Sequence, residues 1–498
     1  MERSAGVLLH PTSLPSPDGI GTLGAEARAF ADRLGEAGQS WWQTLPLNVP
    51  GHGGSPYSAT SAFAGNDLMI DLDALVGRAW LTRDEVDAYR QKVADLDPNH
   101  LDYGVVAPAK GELLNLACER WRKDDQGSRA EFDAFCERES DWLQDYALFM
   151  KLKFEYGGVE WRQWPSEYVE RDEVALARFR EEHADGIEKL EWRQWIFFDQ
   201  WQKLRDYAGE RGIQFIGDIP IFVAMDSADV WANRDIFQMD EDGNVDDVSG
   251  VPPDYFSKTG QKWGNPLYDW DAIDAQNYKW WLARIETVLE TVDLIRIDHF
   301  RGFEAYWAVP AEADTAVDGE WRDGPKDALF EAIEDELGEV PFIAEDLGLI
   351  TDEVLELRDR HELPGMKVLQ FADWDDPEHI FLPENYEENF VAYTGTHDND
   401  TTRGWYEDLD DMQQHKVREY LSCGDDEIVW CMIDAVFGSD AGMAIVPVQD
   451  IFELGTEARM NVPGGNGNNW TWRMDAALLE PGEAWERLGK VTEESDRK

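Results

Sequence analysis

Leu294-Ile295-Arg296-Ile297-Asp298-His299-Phe300-Arg301-Gly302-Phe303 reads as a buried strand that ends abruptly in charge. Leu294, Ile295 and Ile297 supply the apolar content. Side chains alternate along a strand, so Arg296 and Asp298, two apart, share one face. A short apolar run that closes on Arg, Asp and His is costly unless those groups are paired or do chemistry. The C-terminal strand ends of a parallel barrel are where catalytic groups stand. A buried ion pair that only holds the strand is the other reading, and the rest of the chain decides between them.

Seven more apolar runs flank this one, over 6–10, 41–47, 213–222, 341–346, 367–371, 391–396 and 443–448. Helical periodicity separates them, for example Ala27, Phe30, Ala31 and Leu34 on one face of a helix over 25–34. Strands alternating with helices indicate a parallel sheet, and eight such units indicate an α/β protein built on a (β/α)8 TIM barrel. A doubly wound open sheet would place a glycine phosphate loop after its first strand, and none is present. The chain therefore reads as one barrel over 1–498 with two excursions. One is a mainly helical, densely charged insertion over 67–190, between strands two and three. The other, over 223–270 after strand three, reads as loop-rich. The Gly/Ser/Pro-dense stretch 51–58 reads as irregular. Met239-Asp240-Glu241-Asp242-Gly243-Asn244 superficially suggests a calcium loop, but its Gly is misplaced for an EF-hand and a turn is expected.

Asp298, Glu345 and Asp398 fall at the C-terminal ends of strands four, five and seven, which in a barrel surround one pocket. Like charges gathered there repel, so a fold that keeps them needs a reason. Retaining glycosyl transfer supplies one: it uses a carboxylate nucleophile and a protonated carboxylic acid, roughly 5–5.5 Å apart. Arg296 beside Asp298 would keep that carboxylate ionised, while burial and a negative neighbour would keep the acid neutral. A metal site made from the same acids is the rival reading, but no His pair stands at ligand spacing.

Composition narrows the partners. There are 103 Asp+Glu against 45 Lys+Arg, a formal charge of -58, spread along the whole chain. Such a surface repels nucleic acid and anionic membranes. The 23 Trp offer planar apolar faces suited to the C–H face of a sugar, although most are expected in the core. Cys118, Cys136, Cys423 and Cys431 have no CxxC spacing and read as core thiols of a reducing compartment. With no signal peptide and no apolar run near ~18 residues, a soluble cytoplasmic protein is expected.

Specific motifs carry a resemblance over nearly the full length. They are Ser55-Pro56-Tyr57, Ser61-Ala62-Phe63-Ala64-Gly65-Asn66, Gly217-Asp218-Ile219-Pro220, Asp226-Ser227-Ala228-Asp229-Val230-Trp231, Arg296-Ile297-Asp298-His299-Phe300-Arg301-Gly302, Ala344-Glu345-Asp346-Leu347-Gly348, Gly395-Thr396-His397-Asp398-Asn399 and Glu457-Ala458-Arg459-Met460-Asn461. With these the chain resembles the amylomaltases, 4-α-glucanotransferases (disproportionating enzymes) related to the α-amylases. The resemblance implies Asp298 as nucleophile, Glu345 as general acid/base and Asp398 as transition-state stabiliser. It implies Arg296, His397 and Asp218 in the inner shell, and Tyr57, Asp254, Tyr255, Gln261 and Trp263 along a glucan groove. It also implies malto-oligosaccharides and other α-1,4-glucans as substrates, with no cofactor and no required metal. An α-glucan hydrolase using the same acids and a non-catalytic glucan-binding barrel are the alternatives.

Self-repulsion on the scale of -58 is tolerable where salt screens it, since the Debye length shrinks to ~3 Å near 1 M. A halophilic, salt-loaded cytoplasm is therefore expected. Dialysis to low salt, followed by circular dichroism and assay, should lose fold and activity together. A protein unchanged by dialysis would contradict this reading.

Overall fold

The computed structural model describes residues 2–123, 128–240, 242–253, 257–339, 341–465 and 467–498. Eight parallel strands form one sheet: β1 (Ser4–Leu8), β2 (Trp41–Gln43), β3 (Gln214–Pro220), β4 (Leu294–Asp298), β5 (Phe342–Ala344), β6 (Gly365–Val368), β7 (Phe390–Tyr393) and β8 (Met443–Pro447). Their order, β6-β7-β8-β1-β2-β3-β4-β5, is that of a (β/α)8 TIM barrel. The seam between β5 and β6 carries no strand ladder. There Ala344 N donates to Pro364 O at 2.8 Å, and Met366 N donates to Asp346 Oδ1 at 2.7 Å. A carboxylate thus replaces a strand partner at the closure.

Strand period fixes what enters the barrel. Ile216, Leu294 and Ile343 belong to the inner core together with Leu8, Val391 and Met443. Two residues on from each, the same face carries Asp218, Arg296 and Glu345. An apolar floor therefore passes directly into a polar layer at the C-terminal end. The outer faces of the strands pack against helices, as where Phe30 of helix Ala25–Glu36 meets Trp42 edge-on at 4.7 Å. Gly6 lets β1 lie close to β2, because a Cβ there would stand 2.5 Å from the Trp41 carbonyl oxygen. Trp42, Trp121, Trp161, Trp192, Trp201, Trp231 and Trp281 are fully buried, so the core absorbs much of the tryptophan.

Between β2 and β3 lie several helices, ending in the long helix Ala184–Gly209. It presents Trp192, Trp195, Trp201 and Leu204 to the core and begins well before residue 191, where apolar periodicity first becomes plain. Stretch 51–58 is irregular chain broken only by short 3-10 turns at His52–Gly54, kinked at Gly53 (φ 67°), and at Pro56–Ser58, the second capped by Ser55 Oγ accepting from Tyr57 N. Other local expectations change. The sixth strand starts two residues early, and Leu369–Phe371 turns as a 3-10 helix instead of continuing it. The region over 223–270 holds two strands where loop was expected. Asp247–Val251 and Gln261–Pro266 join Ala305–Pro310 and Glu320–Asp323 in a four-stranded antiparallel sheet around Val248, Val309 and Ala316.

Asp240 organises a turn, its Oδ1 accepting from Asp242 N at 3.0 Å and from Asn244 N at 2.8 Å. Cys118 is buried, whereas Cys136, Cys423 and Cys431 are only half-buried; all four are free thiols. Among the described residues no helix is long and apolar enough to cross a membrane.

Candidate active site

Arg296 anchors the polar layer. Its Nη1 donates to both Asp218 oxygens, at 2.8 and 2.7 Å, and its Nη2 lies 3.0 Å from Asp298 Oδ1. The register of β3 on β4 makes this possible, pairing Asp218 with Arg296 and Pro220 with Asp298. Burial works against the guanidinium charge, but Asp218 and Asp298 more than offset it and hold Arg296 well above its ordinary value. Burial pushes the Asp218 carboxyl up to about 7 against the opposing pull of Arg296. Tyr57, brought in by the second 3-10 turn, donates its hydroxyl to Asp218 Oδ2 at 2.8 Å.

Glu345 follows β5 and, among the described residues, accepts its hydrogen bonds from backbone groups. His299 N donates to Oε2 at 2.7 Å and Leu347 N to Oε1 at 3.2 Å. His299 has a left-handed backbone, φ 55°, where the chain turns out of β4 into the 3-10 helix Phe300–Phe303. Burial raises the Glu345 carboxyl well above the usual carboxylate range. Arg296 opposes that rise and the charge of Asp298 adds to it. Two carboxyl groups on neighbouring strand ends thus face opposite environments: Asp298 lies against a cation, and burial favours the protonated form of Glu345.

Asp398 closes the third side. His397 Nε2 lies 3.4 Å from its Oδ1, and Asn461 Nδ2 donates to the same oxygen at 2.6 Å. Burial lowers the His397 imidazole despite the opposing charge of Asp398, so the ring is neutral. Tyr57 stacks on His397 with ring centroids 5.2 Å apart and planes 12° apart, and Trp470 covers both rings at 5.5 and 5.9 Å. On the opposite side the antiparallel sheet presents Trp263, 39% exposed, edge-on to His299 at 4.9 Å. Trp263 Nε1 donates to Gln261 Oε1 at 3.3 Å.

Nine of the eleven residues singled out in the sequence therefore have a described place in or beside one cleft: Asp298, Glu345, Asp398, Arg296, His397, Asp218, Tyr57, Gln261 and Trp263. Asp254 and Tyr255 lie outside the described residues. Sequence reasoning missed Asn461, Arg459, Trp470 and the backbone of His299. The first two stand in a quoted motif, but nothing in its residue types announced a carboxylate partner. Among the described residues no cluster of three or more His, Cys, Asp or Glu is arranged to hold a metal ion.

A family model described as 4-α-glucanotransferase matches residues 9–478. The chain belongs to the 4-α-glucanotransferase family. The Thermus thermophilus 4-α-glucanotransferase is 46% identical over 506 residues, covering 100% of this chain and 99% of its own. The chloroplastic/amyloplastic enzyme of Arabidopsis thaliana is 44% identical over 478 residues, covering 95% of this chain and 82% of its own. Among solved structures, the Streptococcus agalactiae amylomaltase in complex with acarbose superposes with a TM-score of 0.96 at 37% identity, over 100% of both chains. The Corynebacterium glutamicum amylomaltase shares the fold, with a TM-score of 0.79 at 20% identity over 98% of this chain and 75% of its own.

The raised Glu345 carboxyl has a stability consequence that any 4-α-glucanotransferase with this geometry should share. An unfolded glutamic acid loses its proton near 4.5, whereas the folded one keeps it to higher pH. Above that value the unfolded chain binds fewer protons, so stability falls as pH rises toward the folded pKa. Glu345→Gln removes this penalty. Thermal melts should show the variant gaining on wild type as pH rises from ~4.5 toward neutrality; a difference constant with pH would contradict the assignment.

Proposed function

We propose that the chain transfers α-1,4-glucan segments from a donor malto-oligosaccharide or starch-type glucan to the 4-OH of an acceptor glucan or glucose, by a retaining double displacement. Membership of the family makes it a glycosyl-transferring enzyme of α-1,4-glucans. The residue roles are our reading. One observation carries it: neighbouring strand ends hold two carboxyl groups in opposite environments, Asp298 against the Arg296 cation and Glu345 raised by burial.

In the first step Glu345 gives its proton to the glycosidic oxygen while the Asp298 carboxylate attacks the anomeric carbon. The glycosidic bond breaks, and the reducing-side glucan leaves with a new 4-OH. A glycosyl ester remains on Asp298. In the second step the acceptor 4-OH loses its proton to Glu345 and its oxygen attacks the anomeric carbon, releasing the Asp298 carboxylate. Two inversions give net retention. Asp398 and His397 hold sugar hydroxyls and steady the oxocarbenium-like charge. Asp218 keeps Arg296 in place, and Tyr57 walls the same subsite. Gln261 and Trp263 line the glucan groove. Transfer outruns hydrolysis where these aromatics favour a sugar over water. A cytoplasmic, salt-rich setting completes the proposal and rests on the charge of -58.

Asp298→Asn should lower turnover of maltotriose by at least ~10³-fold. Glu345→Gln should cost roughly 10²–10⁴-fold on maltotriose, yet spare the first step with glycosyl fluorides, whose leaving group needs no proton. Full activity of either variant on maltotriose would refute the roles. Chromatography of wild-type products from maltotriose in high salt should show glucose together with longer oligomers; glucose and maltose alone would indicate a hydrolase.

A further inference from the structure

The segment Glu457-Ala458-Arg459-Met460-Asn461, which follows β8, has no part in the reaction scheme, yet it reaches the site. Asn461 is 8% exposed and donates its amide to Asp398 Oδ1 at 2.6 Å. Arg459 Nη2 donates to the Asp398 carbonyl oxygen at 2.7 Å, and its Nε donates to the Asn461 carbonyl oxygen at 2.7 Å. Arg459 is held from behind by Asp400, 3.9 Å away, whose carboxylate also accepts from Thr456 Oγ1 at 2.9 Å. One guanidinium therefore ties the backbone of Asp398 to the backbone of Asn461, and the Asn461 amide ties the two side chains.

Packing does not do this work. The Asp398 side chain is 42% exposed, and beside the turn that carries it a small pocket is lined by His10, Thr396, Asn399, Asp400, Gln449 and Arg459 among others. His10 Nδ1 is buried there without a partner. A half-exposed side chain is free to swing unless hydrogen bonds fix it. The amide is also chemically selective. It offers N–H to one carboxylate oxygen and leaves the other to accept from sugar hydroxyls. A hydrogen bond of this kind fixes the orientation of the carboxylate.

We propose that Asn461, braced by Arg459, is the positioning residue for Asp398, so that stabilisation of the transition state depends on a side chain delivered by the segment after β8. The proposal rests on Asp398 being the transition-state stabiliser.

The test compares wild type, Asn461→Ala, Asn461→Asp and Asp398→Ala, each checked for folding by thermal melt and assayed on maltotriose across pH. Asp398 acts in the transition state, so Asn461→Ala should lower kcat by about 10²-fold with KM changed less than about 3-fold.

Asn461→Asp has a signature that a purely structural role would not give. Two carboxyl groups at hydrogen-bond distance cannot both ionise without repulsion. At low pH the introduced carboxyl holds a proton and donates to Asp398 Oδ1, as the amide does. At higher pH both ionise and Asp398 is pushed aside. The other titratable and charged groups facing Asp398, namely His397, Tyr57 and Asp298 across the cleft and Arg459 and Asp400 behind, are common to wild type and variant. The ratio of variant to wild-type kcat should therefore fall by more than about tenfold from the acid to the alkaline end. A flat ratio, or Asn461→Ala within about 3-fold of wild type, overturns the proposal if Asp398→Ala is inactive. Activity in Asp398→Ala would instead overturn the role given to Asp398.

Discussion

The Arg296 guanidinium, 4% exposed and shared between Asp218 and Asp298, is the constraint on which the rest of the site depends. A buried cation is unfavourable unless fully compensated. Compensation here requires β3 and β4 in one particular register, with Asp218 directly opposite Arg296. A one-residue slip would turn these groups out of the barrel and bring apolar side chains into the polar layer. The same pairing sets the electrostatics of the neighbouring strand. Glu345 experiences both Arg296 and Asp298, and burial decides the balance in favour of its proton. Fold and chemistry are thus joined at one side chain.

Backbone groups hold Glu345, whereas side chains hold Asp298 and Asp398. Glu345 takes its two donors from the peptide groups of His299 and Leu347. Glu345 N in turn donates to Ile297 O at 3.1 Å, and Phe300 N donates to Glu345 O at 3.2 Å. The ends of β4 and β5 are laced together, so the spacing of the two carboxyl groups is a property of the barrel and not of mobile side chains. Asp398 depends instead on a later segment of chain through Asn461 and Arg459.

The barrel was legible because its strands are buried on both faces and read as apolar runs, several closing on a polar pair such as Glu345-Asp346 or His397-Asp398. The alternation rule placed Arg296 and Asp298 on one face without any structure. The antiparallel sheet was not legible. Gln261-Lys262-Trp263-Gly264-Asn265-Pro266 contains Gly, Asn and Pro, residues that disfavour strands, and is extended only because Asp247–Val251 pairs with it. The 3-10 turn at Pro56–Ser58 depends on a cap within a stretch whose composition suggested only irregular chain. Asn461 was invisible because its partner lies 63 residues away and one amide carries no spacing signal.

The central claim is that Asp298 becomes covalently bonded to the sugar. It is tested most directly by incubating Glu345→Gln with α-maltotriosyl fluoride in high salt, quenching with acid and mapping the peptic digest by tandem mass spectrometry. A maltotriosyl ester on the peptide carrying Asp298 is the predicted result. An adduct on Asp398, or fluoride release with no adduct on any carboxylate, would contradict the account.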